Sequence, residues 1–352
     1  MAKSFNNLWS TITSWENLLA AYQKCRKRKR YKTPATNFDF SWETSLLQLQ
    51  HELINGTYKP GEYRHFHITD PKPRKISAAP FRDRIIHHAL VGVLEPLFDR
   101  RFIFDSYACR RGKGTHRAIN RTQQYLRRYD WCLKTDVVRF FPNVDHQLLF
   151  TLVSRTIGDS RTLELIELIL KSGDGVLSHE ATQHWFPGDD LLSVLRPQGL
   201  PIGNLTSQFF ANVFLDPVDH YIKEELRAPG YVRYADDLIL FGHTKQQLWQ
   251  WRDDVANFLE KQRLQLHTHK THVCPSTRGV SFLGFRLSRL ERRLKQDAIR
   301  RFNRRLKKLQ WLRSRGEIEY RQIQASLRAW LAHTTHANTE GLRQDLWRKV
   351  KF

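Results

Sequence analysis

The sequence predicts an α+β fold, in which antiparallel strands are combined with packed helices. The stretch GYVRYADDLILFG, residues 230–242, has two apolar runs on either side of Asp236 and Asp237, a pattern typical of a β-hairpin with the acidic pair at its tip. Other segments carry apolar residues at helical spacing. With 352 residues, 40% of them hydrophobic, the chain is long enough for two or three structural units and a sizeable core.

The net charge narrows the classes of partner. Lysine and arginine number 58 against 35 aspartates and glutamates, which gives a formal net charge of +23. This excess favours nucleic acid or an anionic membrane surface as partner, the alternative being an ordinary soluble basic protein. The N-terminus lacks the continuous apolar core of a signal peptide, and no run approaches the roughly 18 apolar residues of a membrane span.

The cysteines indicate a reducing compartment. Four cysteines are scattered along the chain without a C-x-x-C pair, and they are Cys25, Cys109, Cys132 and Cys274. We therefore expect reduced thiols and a cytoplasmic location.

The first third of the chain combines helices with one pair of strands. Apolar spacing predicts a helix over residues 7–25, which runs into a basic cluster at residues 26–32. This cluster is interpreted as a phosphate-contacting arm, a solvated helix end or a localisation-like patch. A second helix is expected to end at Gly56. Residues 63–99 predict a strand, a basic turn, a strand and a helix, and residues 104–114 predict a basic, glycine-containing loop that opens into another helix.

The middle of the chain contains the candidate chemistry. WCLKTD, residues 131–136, predicts a short strand that ends in a carboxylate, and the chain is expected to become helical after Pro142. Residues 172–197 predict a long loop and a candidate functional insertion. A helix follows, and its expected apolar side consists of Phe209, Val213, Phe214, Val218 and Ile222. The hairpin of residues 230–242 comes next.

The last third predicts a strongly basic helical region. A helix is expected over residues 246–262, one strand over 264–273 and one over 279–287. Residues 286–315 contain ten arginines and three lysines, with two acids. The expected apolar stripe of this segment is Ile299, Phe302, Leu306 and Leu309, and its basic face could follow a phosphate backbone or be an ordinary solvated face. Two more helices complete the chain.

Three carboxylates are candidates for metal binding. Asp136 ends one strand, and Asp236 and Asp237 lie on a hairpin, so adjacent strands of one sheet would bring them together. Paired carboxylates repel each other and favour a compensating cation, and Mg²⁺ prefers hard oxygen ligands. The alternative for Asp136 is a hydrogen bond to its own following turn. The acidic pairs Asp189/Asp190 and Asp253/Asp254 are interpreted as surface.

Histidine side chains can bind metal ions, but the sequence does not favour a metal-binding role for those of this chain. His87 and His88, and the HTHKTH set of His267, His269 and His272, have no cysteine or carboxylate partner at ligand spacing.

The order of these motifs resembles that of a reverse transcriptase, from about Asn7 to Trp347. KTDVVRFFPNVD is similar to the first catalytic palm motif and YADD to the second. The resemblance implies an RNA-directed DNA polymerase with two Mg²⁺ ions, for which Mn²⁺ is a substitute. The implied metal-binding residues are Asp136, Val137, Asp236 and Asp237.

The resemblance also implies roles for other residues. Lys270 in HKTHV matches a lysine that protonates the departing pyrophosphate, and Phe141 matches the aromatic gate that excludes a ribose 2′-OH. VSFLGF resembles the primer grip. The nucleotide-binding residues so nominated are Arg74, Lys75, Arg84, Arg110, Phe141, Ile202, Gly203 and Gln208. The basic helix supplies the candidate nucleic-acid-binding residues Arg300, Arg301, Arg304, Arg305 and Lys308.

The motif PIGNLTSQ, residues 201–208, indicates a subfamily. Bacterial intron-encoded and retron-type enzymes usually carry Gln-Gly at its start and Ser-Pro at its end, whereas this chain has Ile202-Gly203 and Ser207-Gln208. The variant is similar to the reverse transcriptases of diversity-generating retroelements, as is LWSTITSWENLLAAYQK. Ile202 offers only apolar contact where glutamine would offer an amide, so base discrimination is expected to weaken.

The partners implied by this resemblance are a template RNA, a cDNA or primer strand, dNTPs and an oligomer of a small basic helical accessory protein. The product would be error-prone cDNA, with errors chiefly at template adenines, made in a bacterial or phage-encoded system.

The implied architecture is a right-hand polymerase with N-terminal helices and fingers over residues 1–130, a palm over 131–285 and a basic helical thumb over 286–352. The palm is expected to be a split β-α-β, ferredoxin-like sheet. The lack of room for a maturase or endonuclease domain after the thumb counts against an intron enzyme. Two alternatives stay open: a related enzyme of antiphage defence, and a non-catalytic RNA-binding scaffold, which predicts damaged carboxylates, whereas all three are present.

Overall fold

The computed structural model describes residues 4–27, 33–69, 73–182 and 184–349. The α-helices of this part of the chain are α1 (Trp9–Thr13), α2 (Trp15–Arg26), α3 (Thr33–Asp39), α4 (Trp42–Ile54), α5 (Phe81–Asp99), α6 (Thr115–Arg128), α7 (Phe140–Asn143), α8 (His146–Ser154), α9 (Ser160–Ser172), α10 (Leu205–His220), α11 (Lys245–Lys261), α12 (Gln296–Ser314), α13 (Tyr320–Thr334) and α14 (Glu340–Lys349). The strands are β1 (Arg64–Ile68), β2 (Arg74–Ala78), β3 (Trp131–Asp136), β4 (Gly230–Tyr234), β5 (Asp237–Gly242), β6 (His272–Pro275), β7 (Val280–Phe282), β8 (Phe285–Leu287) and β9 (Arg292–Leu294). No helix among these residues is both long and apolar enough to cross a bilayer.

The chain divides into two compact units, each made of three segments. The first unit comprises Met1–Phe104, Val137–Glu225 and Asp254–His267, and the second comprises Asp105–Asp136, Leu226–Asp253 and Thr268–Phe352. The boundaries of fingers, palm and thumb given above stay predictions.

The N-terminal helix of the first unit is interrupted, which corrects the single helix predicted over residues 7–25. Ser14 has an extended backbone, with φ −61° and ψ 146°, and separates α1 from α2. Its hydroxyl accepts a hydrogen bond from the Asn17 N–H at 3.3 Å and so caps α2. At the other end of α2, Arg26 pairs with Asp39 at 2.7 Å. The rest of the predicted basic cluster, residues 28–32, lies outside the described residues.

The predicted helices at α4, α5 and α10 are present in the first unit, whereas α3 was not predicted and α7 begins at Phe140, before Pro142. Helix α4 ends before Gly56, whose φ of +69° closes the helix. The antiparallel pair β1–β2 precedes α5, as predicted, and residues 70–72 of the predicted basic turn lie outside the described part. All five residues of the predicted apolar side of α10 and the π-helical turn that follows it are buried, and they are Phe209, Val213, Phe214, Val218 and Ile222.

The second unit is built on a four-stranded antiparallel sheet in the order β4-β5-β3-β6. Because the β4–β5 hairpin and β6 flank β3 on opposite sides, this is the predicted split β-α-β order. In β5, residues 238–241 (LILF) have no exposed surface, so the strand is central to the sheet. At the free edge of β4, the N–H of Arg233 donates to the Asp105 carbonyl at 2.9 Å, and the Tyr107 N–H donates to the Arg233 carbonyl at 3.0 Å.

Two predicted strands of the second unit are shorter than expected. The strand expected over residues 264–273 begins only at His272, because Thr268–Lys270 forms a 3-10 turn. The strand expected over 279–287 is a hairpin, β7–β8, in which Phe282 pairs with Phe285. Leu283 and Gly284, with φ values of +47° and +87°, form its two-residue turn.

The basic segment ends in the predicted helix, α12. Its residues Phe302 and Leu306 are buried against Ile323 and Leu327 of α13, and Ile299 and Leu309 are partly buried. The ring of Phe302 stacks on Trp330, with 4.1 Å between centroids. One face of α12 is therefore packed, and most of its arginines and lysines are exposed on the other side.

Candidate active site

The carboxylates of Asp136 and Asp237 lie on neighbouring strands. Asp136 is the last residue of β3 and pairs in register with Asp237, the first residue of β5. Ala235, with φ +54°, and Asp236 form the turn between β4 and β5. The strands on both sides of this turn are held by the buried sheet, so the three acidic residues are presented at one edge of it. Their side chains are partly exposed, 17% for Asp136 and 26% for Asp237.

Each of these two carboxylates is paired with a lysine. The Lys270 ammonium group lies 3.0 Å from Oδ1 of Asp136, and the Lys134 ammonium group lies 3.1 Å from Oδ1 of Asp237. Lys134 also donates to the Ser281 carbonyl of β7 at 3.1 Å. Like charges directly opposite each other on paired strands are destabilising, and the two ammonium groups offset that repulsion.

The donor chemistry of this edge fits a hard divalent cation, because carboxylate oxygens are the ligands such cations prefer. Across the described ranges, 4–27, 33–69, 73–182 and 184–349, no group of three or more His, Cys, Asp or Glu side chains converges in a ready-made metal site. The fit therefore rests on the carboxylates of Asp136 and Asp237, which are adjacent across the strand pair, and of Asp236, which is next in the turn.

The basic loop of residues 104–114 is hydrogen-bonded to the β4–β5 hairpin. The Gly114 N–H donates to the Tyr107 carbonyl at 3.0 Å, and one guanidinium nitrogen of Arg110 donates to the Ser106 carbonyl at 3.0 Å. The hydroxyls of Thr115 and Tyr234, which lies on β4, are 3.1 Å apart. These bonds place Arg110 in the same unit as the acidic edge.

The Asp105 side chain anchors the start of this loop, a role that was not predicted from the sequence. Its buried carboxylate accepts hydrogen bonds from the hydroxyls of Tyr107 and Tyr125 at 2.8 and 2.7 Å, and from the Arg121 guanidinium at 2.9 Å. Burial, together with the carboxylate, raises the pKa of both tyrosines well above the usual range. The sequence pattern, a single acid at the start of a basic loop, does not predict this hydrogen-bond network.

The nominated residues of β2 and α5 lie in the first unit. Arg74 is exposed, and the Lys75 ammonium group donates to the Val176 carbonyl at 3.4 Å. The Arg84 Nε donates to the Ala79 carbonyl at 2.8 Å, at the start of α5. Lys75 and Arg84 thus each use at least one donor within the fold.

The loop of Ile202 and Gly203 is bonded to β2, also in the first unit. The Ser77 N–H donates to the Ile202 carbonyl at 2.8 Å. Gly203 has φ +121°, and a Cβ on it would lie 2.7 Å from Cγ2 of Ile76, so this position requires glycine. The buried Asn204 amide donates to the Ser77 carbonyl at 2.9 Å and its oxygen accepts from the Ala79 N–H at 3.0 Å. This bridging role of Asn204 was not predicted from the sequence.

The remaining nominated residues are placed as follows. Val137 directly follows Asp136, belongs to the first unit and is 1% exposed. Phe141 is partly buried, and its carbonyl accepts from the Leu200 N–H at 2.8 Å. Gln208 is exposed on α10. On α12, Arg301 is partly buried, and the exposed residues are Arg300, Arg304, Arg305 and Lys308.

The other acids and histidines considered above differ in how far their side chains are buried. Asp253 is exposed on α11, in agreement with the surface interpretation. Asp190 is also exposed, but the Asp189 side chain is only 2% exposed, so its interpretation as surface is wrong. His87 is buried in α5, and burial lowers its pKa to about 3, which keeps the ring neutral.

Two cysteines that are distant in sequence are neighbours in the second unit. Cys132 on β3 pairs in register with Cys274 on β6, and their sulfur atoms are 3.4 Å apart. Both thiols are free.

The comparisons with known proteins identify the family. Residues 60–287 match the family model described as reverse transcriptase (RNA-dependent DNA polymerase). Protein YkfC of Escherichia coli is 28% identical over 323 residues, covering 78% of this chain and 81% of that protein. The putative COX1/OXI3 intron 1 protein of Saccharomyces cerevisiae is 23% identical, covering 80% of this chain and 39% of that protein. Group II intron-encoded protein LtrA of Lactococcus lactis is 22% identical, covering 80% and 56%.

The match covers more than half of the 352 residues and includes the strand of Asp136, the YADD hairpin and the β7–β8 hairpin. The prediction of an α+β, right-hand polymerase fold is confirmed, and membership implies a nucleic-acid template, nucleotide substrates and a divalent metal ion. The chain belongs to the reverse transcriptase family and is an RNA-directed DNA polymerase.

Proposed function

We propose that this polymerase copies an RNA template into cDNA with Asp136, Asp236 and Asp237 as its catalytic metal-binding residues. The observation that carries the proposal is the register pair of Asp136 and Asp237, with Asp236 in the adjoining turn. These carboxylates would hold Mg²⁺, with Mn²⁺ as a substitute and Val137 beside them. When bound, the ions supply charge stabilisation for nucleotidyl transfer and a more acidic primer hydroxyl.

The side chains of this chain have separate tasks in that reaction. Lys270 is the proposed proton donor to the departing pyrophosphate, since its ammonium group is held at the acidic edge by Asp136. Arg110, Arg74, Lys75 and Arg84 are proposed to contact triphosphate or template, and the exposed face of α12 to contact the nucleic-acid backbone. These contacts are of the kind that position a strand without reading its sequence.

We further propose that the enzyme is of the diversity-generating retroelement type, working in the cytoplasm with a small basic accessory protein. The motif at residues 201–208 supports this, because Ile202 replaces a glutamine and its carbonyl is bonded to β2. The backbone of the loop is thus fixed, and only the side chain changes from an amide to an aliphatic group. Such a change removes a polar contact with the incoming nucleotide.

The decisive experiment is primer extension by the purified protein with an RNA template, a DNA primer, dNTPs and Mg²⁺. The wild type should extend the primer, and Asp236→Asn and Asp237→Asn should each lose about a thousandfold in rate or more. Asp253→Asn, on the exposed face of α11, is the matched control and should extend normally. A wild type that extends no primer with Mg²⁺ or Mn²⁺, or carboxylate variants as active as the control, would favour the non-catalytic scaffold.

A further inference from the structure

Four charged side chains of the first unit form a closed ion-pair cluster, made of Asp145, Asp189, Arg196 and Arg263. Oδ2 of Asp145 accepts from Arg263 at 2.6 Å, and both oxygens of Asp189 accept from Nη1 of Arg196 at 2.9 Å. Two longer contacts complete it, from Arg263 to Asp189 at 3.5 Å and from Arg196 to Asp145 at 3.9 Å. The members come from three separate parts of the chain.

The two carboxylates of the cluster are almost completely buried. Both side chains are 2% exposed, whereas Arg196 is 16% and Arg263 30% exposed. Each acid also accepts a backbone N–H, Asp145 from Leu148 at 2.9 Å and Asp189 from Phe186 at 3.0 Å. Burial works to raise the pKa of Asp189, but the Phe186 N–H and the Arg196 guanidinium outweigh it, so the pKa is lowered and the group is ionised.

Such a cluster contributes little net stability, because the cost of desolvating buried ions roughly cancels their attraction. What buried ion pairs do provide is a fixed geometry, since removing one member leaves an uncompensated charge. The cluster therefore fixes the position of the segment that follows Arg196.

That segment begins directly after Arg196 and runs along the residues that follow the catalytic strand β3. The Pro197 carbonyl accepts from the His146 N–H at 3.1 Å, and the Gly199 N–H donates to the Val144 carbonyl at 2.8 Å. The Leu200 N–H then donates to the Phe141 carbonyl at 2.8 Å. The cluster and this short ladder thus hold the backbone of the proposed 2′-OH gate.

Two residues further on, the same segment reaches the proposed fidelity position. Ile202 is bonded through its carbonyl to the Ser77 N–H of β2 at 2.8 Å. One short stretch, residues 197–202, therefore has the ion-pair cluster at its start, Phe141 beside its middle and Ile202 at its end.

We infer that the ion-pair cluster positions Phe141 and Ile202 relative to each other, which makes Asp189 and Arg196 positioning residues for the selection of the incoming nucleotide. The inference rests on the proposed function, because it assigns a structural support to two residues of that proposal. Asp189 lies in the long loop of residues 172–197, so this insertion has a role in selection through Asp189.

The test is steady-state incorporation of a dNTP and of the matching rNTP by Asp189→Asn, Arg196→Gln and Arg196→Lys. Misplacement of the gate should lower the ratio of kcat/KM for dNTP over rNTP by about tenfold in Asp189→Asn and Arg196→Gln. The change should appear mainly as a lower KM for rNTP, because the gate acts by excluding the ribose 2′-OH. Arg196→Lys keeps one charged donor and should lie between these variants and the wild type.

Glu167→Gln is the matched control, since Glu167 forms an exposed pair with Lys171 on α9 of the same unit. It should change neither the ratio nor the melting temperature. If Asp189→Asn does not fold, Arg196→Lys carries the test, with its melting temperature measured alongside.

Folded variants that extend primers with a wild-type ratio of dNTP to rNTP use would overturn the inference and leave the proposed function intact. A wild type without any extension activity would overturn the proposed function itself, and this inference with it.

Discussion

The Lys270 ammonium group lies 3.0 Å from the Asp136 carboxylate, although 134 residues separate them in sequence. The residues next to this pair in sequence hold it in place. The hydroxyls of Thr135 and Thr271 are 2.6 Å apart, and His272 begins the strand that pairs with β3. A lysine in a short 3-10 turn is thereby fixed at the end of a buried strand.

This placement predicts the behaviour of Lys270→Met. If Lys270 donates a proton to pyrophosphate, the single-turnover rate of incorporation should fall about a hundredfold, with little change in nucleotide affinity. Rapid-quench measurements of single-turnover incorporation provide the check. Lys245→Met, an exposed lysine on α11, serves as the control and should keep the wild-type rate. A wild-type single-turnover rate in Lys270→Met would rule out the role.

The outer face of α12 predicts a strong dependence of template binding on salt. Arg304, Arg305 and Lys308 are exposed on it, opposite the packed residues Phe302 and Leu306. Each phosphate contact that is lost on a single strand should reduce the slope of log K against log salt by about 0.7. The triple variant to glutamine should therefore have a slope that is about 2 smaller in magnitude, measured by fluorescence anisotropy. Lys245→Gln should leave the slope nearly unchanged, and an equally unchanged slope in the triple variant would argue against α12 as the binding face.

The YADD hairpin shows how much of the candidate site could be predicted from the sequence. The two apolar runs on either side of the acidic pair, including the unbroken run at residues 238–241, are local signals, and they predicted both strands and the turn that carries Asp236. Adjacent strands of one sheet were expected to bring Asp136 near the hairpin, but no sequence pattern specified the register that pairs it with Asp237. The two hairpin strands and their turn depend on residues close together in sequence, whereas this register does not.

The errors involve backbone angles or contacts that no local pattern specifies. Leu283 adopts a positive φ in the β7–β8 turn, and a leucine there carries no turn signal comparable to Asn-Gly. Asp189 is buried because Arg196 and Arg263 reach it, and Arg263 is distant in sequence. The proximity of Cys132 to Cys274 likewise depends on the register of β3 and β6.

Burial of His87 predicts a specific loss of stability in acid. Its pKa is about 3 in the folded protein, against 6.5 for an ordinary histidine, mainly because burial disfavours the charged ring. Between these values the unfolded chain binds one more proton than the folded one, so the free energy of unfolding falls as pH falls, by about 1.4 kcal/mol per pH unit.

The variant His87→Met removes this titration and keeps an apolar side chain of similar size. Near pH 5 its free energy of unfolding should therefore depend less steeply on pH than that of the wild type, by about 1.4 kcal/mol per pH unit. Urea denaturation from pH 4 to pH 7 measures the difference. Leu47→Met, at an exposed position of α4, removes no titratable group and should keep the wild-type slope. Parallel curves for wild type and His87→Met would show that the ring is protonated in the folded state.

The side chain of Ile202 predicts the error spectrum of the enzyme. Its carbonyl is bonded to Ser77, and the next residue must be glycine, so the backbone is fixed whichever side chain is present. Ile202→Gln should therefore add an amide near the incoming nucleotide without moving the loop. Misincorporation at template adenines should fall about tenfold, because a positioned polar contact penalises the wrong base pair. Sequencing of cDNA made on a defined RNA template measures this.

Ile202→Leu is the control that separates polarity from shape. It keeps an apolar side chain of the same volume, so its error spectrum should match that of the wild type. If the two variants give the same frequency of errors at adenine, the polarity of this position does not set fidelity, and the assignment to the retroelement type loses its structural support. If both variants lower the errors equally, the β-branched shape of isoleucine, rather than its lack of an amide, is what allows mispairs at this site.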